Sequence, residues 1–237
     1  MNFSIVIPCF NEEKNILNLL KEIKESLAGL KYEIIIIDDS STDLSLEILN
    51  QARNFIENLV IIENKINKGQ SYCIYQGIKL AKTKTIVTID CDGQNNPKDI
   101  PNLLDLYTKN KEVFLVGGIR QIRKDSLTKV ISSKFANYFR NLFLRDECKD
   151  TGCSLKVFDR NTFMKFPFFD GIHRFIPALF RGLNKETIYV NVDHRRRLFG
   201  ISKYGTIKRA FKGIYDIFKV LQILKKIKND KLHNKPY

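Results

Sequence analysis

Along the first half of the chain, compact apolar runs alternate with stretches of helical spacing. Residues 3–8, 32–37, 59–63, 85–90 and 113–117 are short runs rich in isoleucine and valine, the signature of strands. Four consecutive isoleucines at 34–37 predict burial on both faces, as inside a parallel sheet. Between the runs, apolar residues at 16, 19, 20, 23 and 27 predict a helix over 12–27, and further helices are expected over 43–54, 70–81 and 97–110. Ser41 or Thr42 suits the cap of the second helix, and Pro97 suits the first turn of the fourth. Repeated strand–helix units predict an α/β fold, a doubly wound and mostly parallel sheet flanked by helices. Ligands on such sheets bind beyond the carboxyl ends of the strands. Polar residues gather there, at Asn11-Glu12, Asp38-Asp39 and 90–94.

The second half is less regular. A helix is expected over 126–145, carrying Phe135, Tyr138, Phe139 and Phe143. A strand follows over 153–158, a short helix over 173–182 and a strand over 187–193. A long amphipathic helix is expected over 206–228, with Ile207, Ala210, Phe211, Ile214, Phe218, Leu221 and Leu224 in one stripe and Lys208, Lys212, Lys219 and Lys226 off it. Such a stripe suits a helix lying at a membrane interface with lysines over anionic lipid, or a helix packed on the sheet.

The chain has 237 residues, enough for a full core, and its 43% hydrophobic and 28% charged residues exclude a disordered chain. No apolar run reaches the roughly 18 residues of a transmembrane helix. The first residues lack the basic, apolar and small-residue parts of a secretory signal. Five scattered cysteines without a CxxC pair argue against a zinc knuckle or disulfide scaffold, and for a reducing cytoplasm. The formal net charge of +14 is uneven: residues 1–119 carry −3, 120–194 carry +6 and 195–237 carry +11. A basic C-terminal block favours anionic lipid, phosphorylated ligands or nucleic acid. Nucleic acid is the weakest of the three, because acidic strand ends repel a phosphate backbone.

The sharpest local signal is Thr88-Ile89-Asp90-Cys91-Asp92-Gly93-Gln94. An apolar strand runs into two carboxylates at i and i+2, which extended geometry places on one face. Magnesium is commonly held by one or two carboxylates together with substrate phosphates. A helix cap followed by a turn aspartate is the plainer alternative. The run 34–37 likewise ends in Asp38-Asp39-Ser40-Ser41, where a carboxylate could meet a base or ribose or simply cap the next helix. Asn67-Lys68-Gly69-Gln70 reads as a phosphate-facing turn or as no more than a left-handed glycine.

The segments SIVIPCFNEEKNI, EIIIIDDSSTD and IVTIDCDGQNNP, in this order, resemble the catalytic domain of family 2 glycosyltransferases, which have the GT-A fold. DTGCSLKVF, HRFIPAL and HRRRLFGISKYG resemble the branch that acts on polyprenyl phosphates, including dolichyl-phosphate mannosyltransferases and undecaprenyl-phosphate sugar transferases. The resemblance spans roughly residues 3–220. It implies an inverting transfer of a hexose from a nucleotide-diphosphate sugar, GDP-mannose or a UDP-sugar, to a polyprenyl monophosphate. Pro8, Asn11, Glu12 and Asp39 would hold base and ribose; Asp90, Asp92 and Gln94 would bind Mg²⁺ or Mn²⁺ and the diphosphate. Arg120 and Arg123 would face the acceptor phosphate or donor sugar, and Arg197, Ser202 and Lys203 would grip the phosphates. Asp92, Arg123, Arg197 and Lys203 would carry the catalysis. His173 and His194 are expected to be structural or phosphate-contacting rather than bases. Phe10, Ser40 and Lys129 stand where the family more often has tyrosine, glycine and arginine.

The resemblance divides the chain into a GT-A catalytic domain over 1–205 and a basic, membrane-interfacial helix and tail over 206–237. The two C-terminal transmembrane helices of many bacterial relatives are not in this sequence, so the expected location is cytoplasmic, peripheral to the inner face of the membrane. A membrane-anchoring partner subunit would be another way to hold it there. Three other readings compete. One is a family 2 transferase acting on a glycan or protein hydroxyl, for which Asp150 is the available base. The others are a basic nucleic-acid-binding protein and a non-catalytic sugar-nucleotide sensor.

Overall fold

The computed structural model describes residues 2–121, 140–197, 199 and 206–233, with side chains on the last helix described at 213 and 215–230. Seven strands form one sheet: β1 (Asn2–Cys9), β2 (Lys31–Asp38), β3 (Leu59–Glu63), β4 (Thr85–Thr88), β5 (Val113–Arg120), β6 (Lys156–Asp159) and β7 (Glu186–Val192). Their order is β3-β2-β1-β4-β6-β5-β7. Helices α1 (Ile16–Ser26), α2 (Ser45–Ala52) and α3 (Gln70–Leu80) make the crossovers among the first four strands, and a 3-10 turn (Pro97–Asp99) leads into α4 (Ile100–Lys109) before β5. These crossovers give the parallel pairing of β3, β2, β1 and β4. β6 lies between β4 and β5 and is antiparallel to both, while β7 is parallel to β5 on the outer edge. The expected mostly parallel, doubly wound sheet is therefore present.

The isoleucine run of β2 divides two cores by its alternation. Ile34 and Ile36 join the layer with α1, α2 and α4, while Ile35 and Ile37 join the layer with α3 and with two later helices, α6 (Ile172–Gly182) and α7 (Thr206–His233). A short α5 (Arg160–Phe163) follows β6, capped by Asp159, whose Oδ1 accepts from the Thr162 backbone at 2.7 Å. Of the helix expected over 126–145, residues 140–144 are described and are helical; Arg123, Lys129, Phe135, Tyr138 and Phe139 lie outside the described residues. Ser202, Lys203, and the side chains of Ile207, Lys208, Ala210, Phe211, Lys212 and Ile214 lie outside them too.

The expected cap of α2 is corrected. Ser41 and Thr42 do not cap it; they tie β2 to the loop after β1, since Asn11 N donates to Ser41 Oγ and Thr42 N donates to Asn11 Oδ1. Asp43 and Glu13 satisfy the first amides instead, accepting from Ser45 N and Leu44 N. β4 ends at Thr88, two residues earlier than expected, because Thr88 Oγ1 donates to the Ser154 carbonyl and Asp90 N to Ser154 Oγ. The chain is drawn out of the sheet there.

α7 resolves part of the ambiguity of its stripe. Ile217, Val220 and Leu224 are buried in the core beside α6. The approach is close: a Cβ on Gly182 would meet Leu224 at 2.3 Å. Phe218 of the same expected stripe is 54% exposed. The core-facing side is thus rotated from the predicted one, and between 216 and 224 the helix packs on the sheet layer while presenting aromatics outward. Leu224→Ala is expected to destabilise the protein by about 2–5 kcal/mol and Phe218→Ala by less than about 1 kcal/mol, read by urea unfolding.

Candidate active site

The carboxyl ends of β1, β2 and β4 lie side by side, and their loops build a polar cleft edge. After β1 the chain turns at Asn11, whose φ is +52°, a conformation that asparagine tolerates better than most residues. Glu12 N donates to Ser45 Oγ at 2.8 Å, and Glu12 Oε2 accepts from Asn15 Nδ2 at 2.6 Å. Pro8 is half-buried in β1, opposite Ile37 of β2. After β2, Asp38 accepts from both the backbone and hydroxyl of Ser41. Asp39 is 3% exposed; its Oδ1 accepts from Asn64 Nδ2 and Lys68 N, and its Oδ2 from Gly69 N at 2.7 Å. Both Asp39 oxygens accept hydrogen bonds from the 64–69 loop, so this residue shapes the cleft edge beside the loops after β1 and β4. Gly69 accordingly does more than turn the chain, although its φ of +84° does require glycine-like freedom.

The acidic loop follows β4. Asp90 Oδ1 accepts from Gln70 Nε2 at 2.8 Å, and Asp92 Oδ1 accepts from Gln94 N at 3.1 Å. Burial first, and the neighbouring charge of Asp92 second, push the Asp90 carboxyl up to about 6. Onto this loop folds the segment 193–197. Arg195 N donates to the Gln94 carbonyl at 2.8 Å, Gln94 Nε2 reaches the Arg195 carbonyl at 3.4 Å, and Asn95 pairs with His194 as an antiparallel bridge. Arg195 binds both oxygens of Glu22 on α1. Arg197 Nη2 is thereby placed 2.9 Å from Glu12 Oε1 and 3.5 Å from Asp92 Oδ2. Two residues from opposite ends of the sequence and the acidic loop meet at one guanidinium.

Residues 4–168, more than half of the chain, match the family described as Glycosyl transferase family 2. The chain belongs to glycosyl transferase family 2. It is 34% identical over 230 residues to a dodecaprenyl-phosphate galacturonate synthase of Rhizobium johnstonii, covering 93% of this chain and 67% of that protein. It is 33% identical over 211 residues to an undecaprenyl-phosphate 4-deoxy-4-formamido-L-arabinose transferase of Pectobacterium carotovorum subsp. carotovorum, covering 87% of this chain. The chain spans 64% of the length of that second relative, about two thirds. In fold it is similar to glucosyl-3-phosphoglycerate synthase from Mycobacterium tuberculosis in complex with phosphoglyceric acid, with a TM-score of 0.73 at 16% identity over 94% of this chain and 80% of that one. The same enzyme in complex with Mn²⁺, UDP and glucosyl-3-phosphoglycerate gives a TM-score of 0.69, again at 16% identity, over 93% of this chain and 78% of that one. The sheet and its flanking helices are those of a GT-A glycosyltransferase.

In this family 2 transferase, two residues singled out in the second half pair with each other. Arg120 does not present a free guanidinium to the cleft: Nε and Nη2 each lie 2.7 Å from an oxygen of Asp150, a bidentate pair at the end of β5. Asp150 is buried, and both its oxygens accept from Arg120. Among the other expected residues, Asn11, Glu12, Asp90, Asp92, Gln94 and Arg197 do converge. His173 Nδ1 lies 2.9 Å from Ser71 Oγ on α3. Gln70, Ser154 and Glu22 position the acidic loop and its cationic neighbour. Sequence reasoning met Gln70 only within the 67–70 turn and Ser154 only within DTGCSLKVF, and Glu22 carried no signal.

The acidic loop fits a hard divalent cation. Among the described residues no cluster of three or more His, Cys, Asp or Glu could by itself enclose a metal. Two carboxylates two residues apart, with Asp90 raised by burial and by the charge of Asp92, suit instead an ion shared between protein and substrate phosphates.

Two substitutions test the frame. Ser40 has a φ of +63°, so Ser40→Gly is expected to stabilise the fold by about 0.5–1 kcal/mol and raise Tm by about 2–4 °C. Asp150→Ala, which strands the Arg120 guanidinium, is expected to cost about 3 kcal/mol in a urea titration.

Proposed function

We propose that this transferase moves a sugar from a nucleoside-diphosphate sugar to the phosphate of a polyprenyl monophosphate, inverting the anomeric centre. An acceptor phosphate oxygen forms the new bond to the anomeric carbon, and the bond to the diphosphate breaks with its electron pair leaving on the nucleoside diphosphate. The second pKa of a phosphate monoester is near 6, so the nucleophile is already anionic at neutral pH and needs no general base. The pairing of the buried Asp150 with Arg120 supports this reading over one that needs Asp150 as a base.

The observation that carries the reading is the convergence of Arg197, Asp92 and Glu12 beside Asp90. Donor and acceptor bring three phosphates together, and their repulsion is the main obstacle to assembling the complex. Asp90 and Asp92, with Gln94 alongside, would hold Mg²⁺ or Mn²⁺, which when bound neutralises the diphosphate and the charge it gains on leaving. Arg197, whose Nη2 lies against Glu12 and Asp92, would bind the same diphosphate, as guanidinium groups suit phosphate. In this reading Arg120, Arg123, Ser202 and Lys203 would serve the phosphates or the sugar, and Pro8, Asn11, Glu12 and Asp39 would hold the nucleoside. The relatives' printed names, which pair a sugar with dodecaprenyl or undecaprenyl phosphate, support the lipid acceptor.

The lipid must be met at a membrane surface. Among the described residues no helix is long and apolar enough to cross one. Leu142, Phe143, Tyr215 and Phe218 are exposed, and the Phe143 and Phe218 rings lie 6.2 Å apart, joining the 140–144 helix to α7. This apolar face, with the basic C-terminal block, suits peripheral docking on the cytoplasmic face of an anionic bilayer, with or without an anchoring partner subunit.

A panel of GDP- and UDP-sugars incubated with polyprenyl phosphate tests the reading through the lipid-linked product. Product is expected with Mg²⁺ or Mn²⁺ and none after EDTA. Asp92→Ala and Arg197→Ala are each expected to lower transfer by about 100-fold or more with the melting transition retained. Transfer at wild-type rate in either variant, or sugar incorporation into a soluble glycan only, would contradict it.

A further inference from the structure

A cavity of about 120 Å³ lies beneath the acidic loop, lined by Asp90, by Lys156 of β6 and by His173 and Arg174 of α6. It is small beside the roughly 300–1,000 Å³ of sites for drug-sized ligands, so it suits a single sugar ring and not a whole nucleotide. Two of its cations carry unused donors. Lys156 is 3% exposed, and among the described residues its ammonium makes one hydrogen bond, to the Cys153 carbonyl. An ammonium has three N–H groups, so two remain. No carboxylate among the described residues lies within ion-pair distance of it. Arg174 is different in charge balance, since its Nη2 pairs with Asp216 of α7 at 2.8 Å, but its buried Nε has no hydrogen-bond partner among the described residues. Asp90, the carboxylate of the wall, already gives one oxygen to Gln70.

Asp90 across the cavity shares the Lys156 charge, but buried donors left unfilled are costly, and the natural occupant of such a wall is an anionic acceptor. Asp90 stands two residues from Asp92, which with Arg197 faces the diphosphate in the reaction proposed above, and the sugar is attached to that diphosphate. We propose that the cavity receives the transferred sugar and that Lys156 selects a sugar bearing a carboxylate, a hexuronic acid, over neutral hexoses. The carboxylate accepts from Lys156 Nζ and from Arg174 Nε, and Asp90 and Gln70 border the ring. The inference rests on the glycosyl-transfer reading and adds the class of the donor sugar.

Calorimetric titration of the full chain with Mn²⁺ separates the two. The ligands are matched pairs: UDP-glucose with UDP-glucuronate, UDP-galactose with UDP-galacturonate, and GDP-mannose with GDP-mannuronate, with free UDP and GDP as references. At least one uronate is expected to bind about 10-fold or more tightly than its neutral partner. Lys156→Met is expected to abolish that advantage while binding of the free nucleoside diphosphate stays within about twofold, and Lys156→Arg to retain it. Equal affinity within every pair in the wild type, which requires no variant to fold, overturns the inference and leaves glycosyl transfer standing. An advantage that survives in Lys156→Met also overturns it. So does a Lys156→Met variant whose only defect is a raised KM for polyprenyl phosphate, which would assign the cavity to the acceptor's phosphate. Failure of every nucleotide to bind would remove the transfer reading and this inference together.

Discussion

Arg197 stands where three acidic groups meet, and the organisation of the cleft follows from that meeting. Its guanidinium lies against Glu12 from the loop after β1 and against Asp92 from the loop after β4. Asp90, two residues away, is raised by burial and by the charge of Asp92. Carboxylates this close, in a partly desolvated edge, are held together only if cations share them. The protein supplies one of those cations from the far end of its sequence. In the proposed reaction a diphosphate with a divalent ion would exchange these contacts for equivalent ones, at little cost in reorganisation.

The arginine is itself held by backbone. The segment 193–197 is stitched along the acidic loop by Arg195 N to the Gln94 carbonyl and by the Asn95–His194 bridge, and Arg195 is anchored to Glu22 of α1. On the opposite side, Thr88 and Asp90 are pulled toward Ser154. The acidic loop is thus clamped between two later segments, which explains how a short turn after a four-residue strand keeps its shape. The second layer connects to the same place through α6, whose Arg174 lines the cavity below Asp90 and pairs with Asp216 of α7. The exposed aromatics of α7, Tyr215 and Phe218, flank Asp216, so the exposed aromatic face lies on the helix that anchors Arg174.

Much of this was legible in the order of residues. The β-branched runs and the 3.6-residue spacing located β1 to β5 and their crossover helices, because each is decided by local burial. The acids at the strand ends marked the cleft because a parallel sheet gathers them there. The insertion of β6 between β4 and β5 was not legible, since periodicity carries no strand order. Nor were the partners of Arg120 and Arg197, because an arginine in a motif reads alike whether it meets a phosphate or a buried aspartate. Lys156 was passed over because lysine normally marks a surface, and only the packed layer reveals it at 3% exposure. The face of α7 was misplaced because its apolar residues exceed one stripe, and contact with Gly182 decides which of them turn inward.

The central claim is that the acidic loop and Arg197 hold the diphosphate through a shared divalent ion. Phosphorus NMR of a nucleoside diphosphate bound to the protein, titrated with Mn²⁺, tests it most directly. The account predicts strong paramagnetic broadening of both phosphorus signals in the wild-type complex, with the broadening lost in Asp92→Asn while the nucleotide stays bound at higher protein concentration. Bound nucleotide whose phosphorus signals stay sharp as Mn²⁺ is added, or broadening that is unchanged in Asp92→Asn, would contradict it.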